Sequence, residues 1–89
     1  MKFIATFSDG SKSELHTPSS LPFINSKKKA FFLFDDANVY VGFCNGEIEL
    51  FDDDREYFSI TRPDTKIGLS LPLDRLVGWG YIGQETKDK

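Results

Sequence analysis

One histidine and one cysteine, His16 and Cys44, limit the covalent and metal chemistry open to this 89-residue chain. Nucleophilic catalysis by a thiol needs a thiolate, a base beside it and a group that orients the base. Cys44 has no basic neighbour in sequence, and Glu47, the residue expected opposite it, would raise its pKa. His16 falls at the end of an expected strand, with no partner set at triad or zinc-ligand spacing. Neither residue is expected to be catalytic, and the chain is read as a non-enzyme without a cofactor. Asp52, Asp54 and Glu56 alternate in a way that could offer oxygens to a hard cation. Such sites converge several oxygens on one point, usually with a glycine making the sharp turn. There is no glycine here, and Arg55 sits inside the run, so no metal site is expected.

The remaining chemistry is electrostatic. Eight acidic residues (Asp35, Asp36, Glu47, Glu49, Asp52, Asp53, Asp54, Glu56) and one base, Arg55, occupy positions 35–56. Positions 1–34 carry five lysines against Asp9 and Glu14, and the whole chain is at −3. The middle third therefore holds −7, an asymmetry that concerns partners and not fold. Two short matches invite a nucleic-acid reading. Val39-Tyr40-Val41-Gly42 looks like the first-strand motif of the RNA recognition motif, and Lys29-Ala30-Phe31-Phe32-Leu33-Phe34 resembles that family's third-strand motif. They occur in the wrong order, too close for the intervening helix, and Glu47 and Glu49 flank them where phosphates need a basic frame. Both are ordinary strand composition.

The elements that must position these charges read as strands. Asn45-Gly46 lies between two alternating apolar runs and predicts a two-residue type I′ hairpin. Its register puts Val41, Phe43, Ile48 and Leu50 on a core face, with Tyr40, Gly42, Cys44, Glu47, Glu49 and Phe51 on the other. Upstream, Ser8-Asp9-Gly10 predicts a three-residue loop that pairs Phe3 with Leu15, Ala5 with Ser13 and Phe7 with Ser11. Pro18 and Pro22 make 17–29 irregular, while Leu21, Phe23 and Ile24 are apolar enough to pack it across one end of the sheet. Lys27-Lys28-Lys29 precedes an aromatic strand at 30–34. Downstream, strands are expected at 57–61, 66–71 (Ile67, Leu69 and Leu71 inward) and 76–82 (Val77, Trp79 and Tyr81 on one face). A single 3-10 or α turn at 72–75 precedes the last of these. Gly78 and Gly80 permit bending or close backbone approach.

No ten-residue segment has helical periodicity, and strands recur about every ten residues with turn chemistry between them. The expected fold is all-β: one domain over 1–83 forming a small antiparallel barrel or two-sheet sandwich, with a polar tail over 84–89. The one-turn helix before the closing strand resembles the SH3-like barrels in architecture only. With no signal-peptide core and no membrane-spanning run, the expected location is the cytoplasm.

The expected function is protein–protein contact, the acidic hairpin face meeting a basic surface of a partner through Tyr40, Glu47, Glu49, Phe51, Asp52, Asp53, Asp54 and Glu56. Stoichiometric inhibitors, phage anti-defence proteins and nucleic-acid mimics are the concrete analogues. The alternative is an aromatic-rich barrel that binds nucleic acid or a small ligand, with Lys27, Lys28 and Lys29 on phosphates.

Overall fold

A computed structural model of the chain describes residues 3–7, 10 and 12–82. Seven strands run through them: β1 (Phe3–Thr6), β2 (Lys12–Leu15), β3 (Ala30–Phe34), β4 (Val39–Leu50), β5 (Glu56–Thr61), β6 (Gly68–Pro72) and β7 (Leu76–Tyr81). Turns of 3-10 helix occupy Pro18–Phe23 and Leu73–Arg75. The protein is an all-β domain of two antiparallel sheets, β1–β2 and a five-stranded sheet in the order β6-β5-β4-β3-β7. β1 and β2 keep the expected register, Phe3 meeting Leu15 and Ala5 meeting Ser13. Gly10 stands in the left-handed region (φ +92°) and donates its N–H to the Phe7 carbonyl. Ser8, Asp9, Ser11 and the tail 84–89 lie outside the described residues.

The Asn45-Gly46 hairpin does not form. β4 runs unbroken through the pair, and its first half pairs with β3 while its second half pairs with β5. Between Cys44, opposite Ile60, and Ile48, opposite Phe58, three β4 residues face the single residue Ser59, so Asn45-Gly46 lies in a bulge. A left-handed glycine serves a bulge as well as a I′ turn, which is why the local signal could not separate them. Tertiary contact decides. Gly46 (φ +80°) lies under the first 3-10 turn, where a Cβ would meet the Leu21 carbonyl oxygen at 2.8 Å. Its N–H donates to Cys44 Sγ at 3.4 Å, and the Asn45 Oδ1 accepts the Glu47 N–H at 3.0 Å.

The expected faces change with the turn. Two extra residues preserve strand alternation, so even positions stay inward along β4 from Tyr40 to Ile48. Cys44 is buried, Tyr40 and Ile48 pack against the core, and Gly42 and Gly46 are buried with them. Val41 and Phe43, assigned to the core, lie on the opposite face half-buried, and Leu50 is 68% exposed. The core is instead Leu21, Ile24, Ala30, Phe32, Phe34, Cys44, Phe58, Ile60, Leu71, Leu76 and Trp79. Leu21 and Ile24 thus anchor the irregular stretch as expected, whereas Phe23 between them is 85% exposed. Ile67 precedes β6 and is exposed; Val77 is the extra residue of a second bulge, between the Leu33–Gly78 and Phe34–Leu76 pairs, and turns outward.

Close approach is the use of Gly78 and Gly80. A Cβ on Gly78 would meet the Leu15 side chain at 2.9 Å, and one on Gly80 the Glu14 carbonyl oxygen at 2.6 Å. The β1–β2 hairpin can therefore lie on the outer side of β7 and β3. There Phe7 meets Phe31 edge-on at 5.2 Å and the Ser13 hydroxyl donates to the Tyr81 carbonyl. β6 and β7 form the two edges of the five-stranded sheet, and the Leu73–Arg75 turn passes between them. Arg75 reaches Asp35 at one end of β4 while Asp74 reaches Arg55 at the other. A straight twelve-residue strand would hold those ends about 40 Å apart. Adjacent residues cannot span that, so β4 is sharply bent, and the Gly46 bulge supplies the bend.

Candidate functional site

Bending β4 brings two acidic hairpin tips beside one turn, and the two tips are built alike. Leu33-Phe34-Asp35-Asp36-Ala37-Asn38 and Leu50-Phe51-Asp52-Asp53-Asp54-Arg55 stand seventeen positions apart, followed at the same offset by Tyr40 and Tyr57. In each, the Phe N–H donates to the carbonyl four residues on (Phe34 to Asn38, Phe51 to Arg55). The third loop residue returns its N–H to the Phe carbonyl, and it stands at φ +70° (Ala37) or +62° (Asp54). The second aspartate accepts the N–H two residues on at 3.1 Å, Asp36 from Asn38 and Asp53 from Arg55. These are three-residue hairpins in which a non-glycine takes the left-handed position, stabilised by aspartate turns. The repeat is visible in the sequence, although Asn45-Gly46 is the stronger local turn signal.

An odd spacing along strands with a fixed inward parity turns the second copy over. Phe34 packs on Tyr40 at 5.4 Å and both rings join the core. Phe51 stacks on Tyr57 at 4.5 Å with 22° between ring planes, but this pair lies on the outer face, and Phe51 is 41% exposed. Tyr40 is therefore not part of the acidic face; it points to the opposite side from Phe51, contrary to the expected pairing of the two rings. Leu50, Phe51, Asp52 and Asp53 line an open groove at the tip. Glu47 and Glu49 extend the same outer face along β4, and Glu56 stands exposed opposite Leu50.

The charges are distributed unevenly between the two tips. Arg75 Nε donates to both oxygens of Asp35, at 3.1 and 3.4 Å. Arg55 donates to both oxygens of Asp74, Nη2 at 2.9 Å and Nε at 3.3 Å, and its guanidinium lies over Tyr57. This fork holds the Asp74 carboxyl below its ordinary pKa and raises that of Arg55. The Tyr57 hydroxyl donates to Asp53 at 3.1 Å, which raises the Tyr57 pKa. Among the described residues, no cationic side chain is within ion-pair distance of Glu47, Glu49, Asp52, Asp53, Asp54 or Glu56. Six carboxylates that make no ion pair among the described residues thus share this end of β4 and β5 with the stacked rings: Glu47 and Glu49 on the face of the rings, Asp53 on the Tyr57 hydroxyl, Asp52 and Asp54 in the turn, and Glu56 beside Leu50 on the other face.

The two residues capable of covalent chemistry stand apart in their surroundings. Cys44 is 1% exposed, and burial pushes its thiol pKa up. The His16 ring packs on Trp79 at 4.6 Å with the planes tilted by 36°, and the two residues exchange both backbone hydrogen bonds, joining β2 to β7. Among the described residues, no three metal-ligating side chains cluster, Asp52, Asp54 and Glu56 included. Lys27, Lys28 and Lys29 are exposed, and Lys28 lies 5.2 Å above the Tyr81 ring. No helix among the described residues is long and apolar enough to cross a membrane. The chain matches no protein-family model, no curated protein and no solved structure.

Proposed function

We propose that the protein is a non-catalytic binding module that docks the β4–β5 hairpin tip onto a basic surface of a partner protein, as a cytoplasmic stoichiometric inhibitor would. The observation that carries this reading is the Phe51–Tyr57 stack, with Phe51 41% exposed, at a tip whose carboxylates from Glu47 to Glu56 make no ion pair among the described residues. Exposed aromatics supply affinity after contact, and unneutralised rim charges steer encounter. The Phe51 ring is preorganised by Tyr57, whose hydroxyl is held by Asp53, so little freedom is lost on binding. The docking residues are Glu47, Glu49, Phe51, Asp52, Asp53, Asp54 and Glu56, with Leu50 and Tyr57 in place of Tyr40.

The test is association kinetics with a partner captured from lysate, at low and high salt. Charged groups that stay hydrated are screened over about 8 Å at physiological salt, so association should slow steeply as salt rises. The charge-reversing variant must respect the turn: Asp53 holds Arg55 N–H and Tyr57, and Asp54 is left-handed. Glu47→Lys, Glu49→Lys and Asp52→Lys together remove steering without touching either. They should slow association on the order of tenfold at low salt. An association rate indifferent to salt and to this triple change would reject the reading. Nucleic acid binding the unmodified protein more tightly than any protein would reject it as well.

A further inference from the structure

The two hairpin tips differ in one respect that names a partner's chemistry. Strand residues send their N–H groups alternately to the two sides. Phe34 gives its N–H to Asn38, so Leu33 and Asp35 turn theirs to the other side, where β7 lies. There Leu33 meets Gly78, Phe34 meets Leu76, and the Asp35 N–H donates to the Arg75 carbonyl at 3.0 Å while Arg75 Nε holds the Asp35 carboxylate. At the second tip Phe51 gives its N–H to Arg55, so Leu50 and Asp52 turn theirs away from β5. No described strand pairs on that side: β3 pairs with β4 only over Val39–Gly42, and Asp52 N–H has no acceptor among the described residues. The first tip is seated against a strand that an arginine, Arg75, immediately precedes. The second is the same turn without that strand.

We infer that the edge of β4 from Ile48 to Asp52 is a strand-addition site, taking an extended partner segment antiparallel to β4 with an arginine on Asp52, as β7 sits on β3. Main-chain bonds to an open edge give affinity and pocketed side chains give selectivity in such complexes. Here the open groove of Leu50, Phe51, Asp52 and Asp53 receives the residue next to the arginine, and the arginine fork suits a carboxylate better than lysine does. The inference rests on the acidic-face reading and adds to it an edge, a direction and an amino acid.

The protein carries its own probe. A capped peptide of residues 75–81, Arg-Leu-Val-Gly-Trp-Gly-Tyr, is titrated into isotopically labelled protein while amide shifts and hydrogen exchange are followed. Expected are shifts and added protection at the Leu50 and Asp52 amides. Asp52→Asn, or citrulline for arginine in the peptide, should each weaken binding about tenfold, the loss expected for one charge-assisted hydrogen bond. N-methylation of the peptide glycine opposite Leu50 should abolish it. Shifts at Leu33 and Asp35 instead would mean the peptide displaces β7, and would overturn the inference. Equal affinity for the citrulline peptide or for Asp52→Asn would overturn it too. A hexalysine control separates the two readings. If hexalysine binds the carboxylates in a salt-sensitive way and the arginine peptide leaves Leu50 and Asp52 unprotected, strand addition falls and the acidic face stands. If neither binds, both fall.

Discussion

Replacing Gly46 tests whether β4 is one bent strand or two. Two costs are separable there. An L-residue at φ +80° costs about 1–2 kcal/mol relative to glycine. The second cost is steric: a Cβ would lie 2.8 Å from the Leu21 carbonyl oxygen and 3.1 Å from Pro22 Cα, both backbone atoms. Relief requires moving the first 3-10 turn, which anchors the fully buried Leu21 and the buried Ile24, and such overpacking costs about 1–3 kcal/mol. Gly46→Ala should therefore lose about 2–5 kcal/mol. A domain of this size has a total stability of only about 4–13 kcal/mol. The corresponding fall in Tm is about 10–30 °C. Gly10 is the internal reference, because it has φ +92° and no atom within 4 Å of a Cβ, so Gly10→Ala should show the backbone cost alone. Asparagine sharpens the contrast, since it tolerates positive φ. Gly10→Asn should be close to neutral, while Gly46→Asn should retain most of the alanine penalty. Urea unfolding followed by the fluorescence of Trp79, which is 2% exposed, measures all four variants. A Gly46→Asn protein as stable as the parent would refute the reasoning, because an open I′ turn accepts asparagine and a bulge pressed against Leu21 does not.

Gly80→Ala should loosen the β1–β2 hairpin from β7, since its Cβ would lie 2.6 Å from the Glu14 carbonyl oxygen; faster exchange of the His16 amide with little change at Phe58 is the expected pattern. The buried Cys44 thiol, its pKa raised by burial, should react with an exposed-thiol reagent only at the rate of unfolding, and rapid labelling of native protein would contradict the burial. The Asp74 carboxyl, held below its ordinary pKa by Arg55, stabilises the fold above the ordinary aspartate range. That contribution should be lost as pH falls through its lowered pKa, so Asp74→Asn should flatten the acid limb of the stability profile. Phe51→Ala should speed dissociation from the partner roughly thirtyfold, as a hot-spot residue worth about 2 kcal/mol does, while leaving Tm within a few degrees.

Strand existence was legible because it depends on local composition, and so were most turns. Pro18 and Pro22 marked the irregular stretch, Gly10 the first loop, and Pro72 the short turn before β7. What failed was the use made of one glycine. Asn45-Gly46 states that the backbone takes positive φ there; it does not state whether the chain reverses or bends. That choice belongs to Leu21 and Pro22, more than twenty residues upstream, and no window around the pair contains them. The error then spread by parity: a two-residue turn and a bulge of two extra residues assign opposite faces to the first half of β4. Tyr40, Gly42 and Cys44 went outward and Val41 and Phe43 inward, while Glu47, Glu49 and Phe51 kept their correct face because they lie beyond the error.

The outward placing of the Phe51 and Tyr57 rings has a cause that the sequence also contains. Phe34 and Phe51 introduce equivalent turns, and β4 carries the chain from one to the other without a change of phase. Had the offset been sixteen or eighteen, the second pair of rings would lie on the same side of β4 as Phe34 and Tyr40. At seventeen the same motif, placed on the other side of a bent strand, exposes its rings and carboxylates and leaves its outer edge unpaired. One copy closes the core by receiving Arg75 and β7. The other presents the same donor, carboxylate and ring to whatever the protein meets, and this difference between two like turns is the strongest physical indication of function the molecule carries.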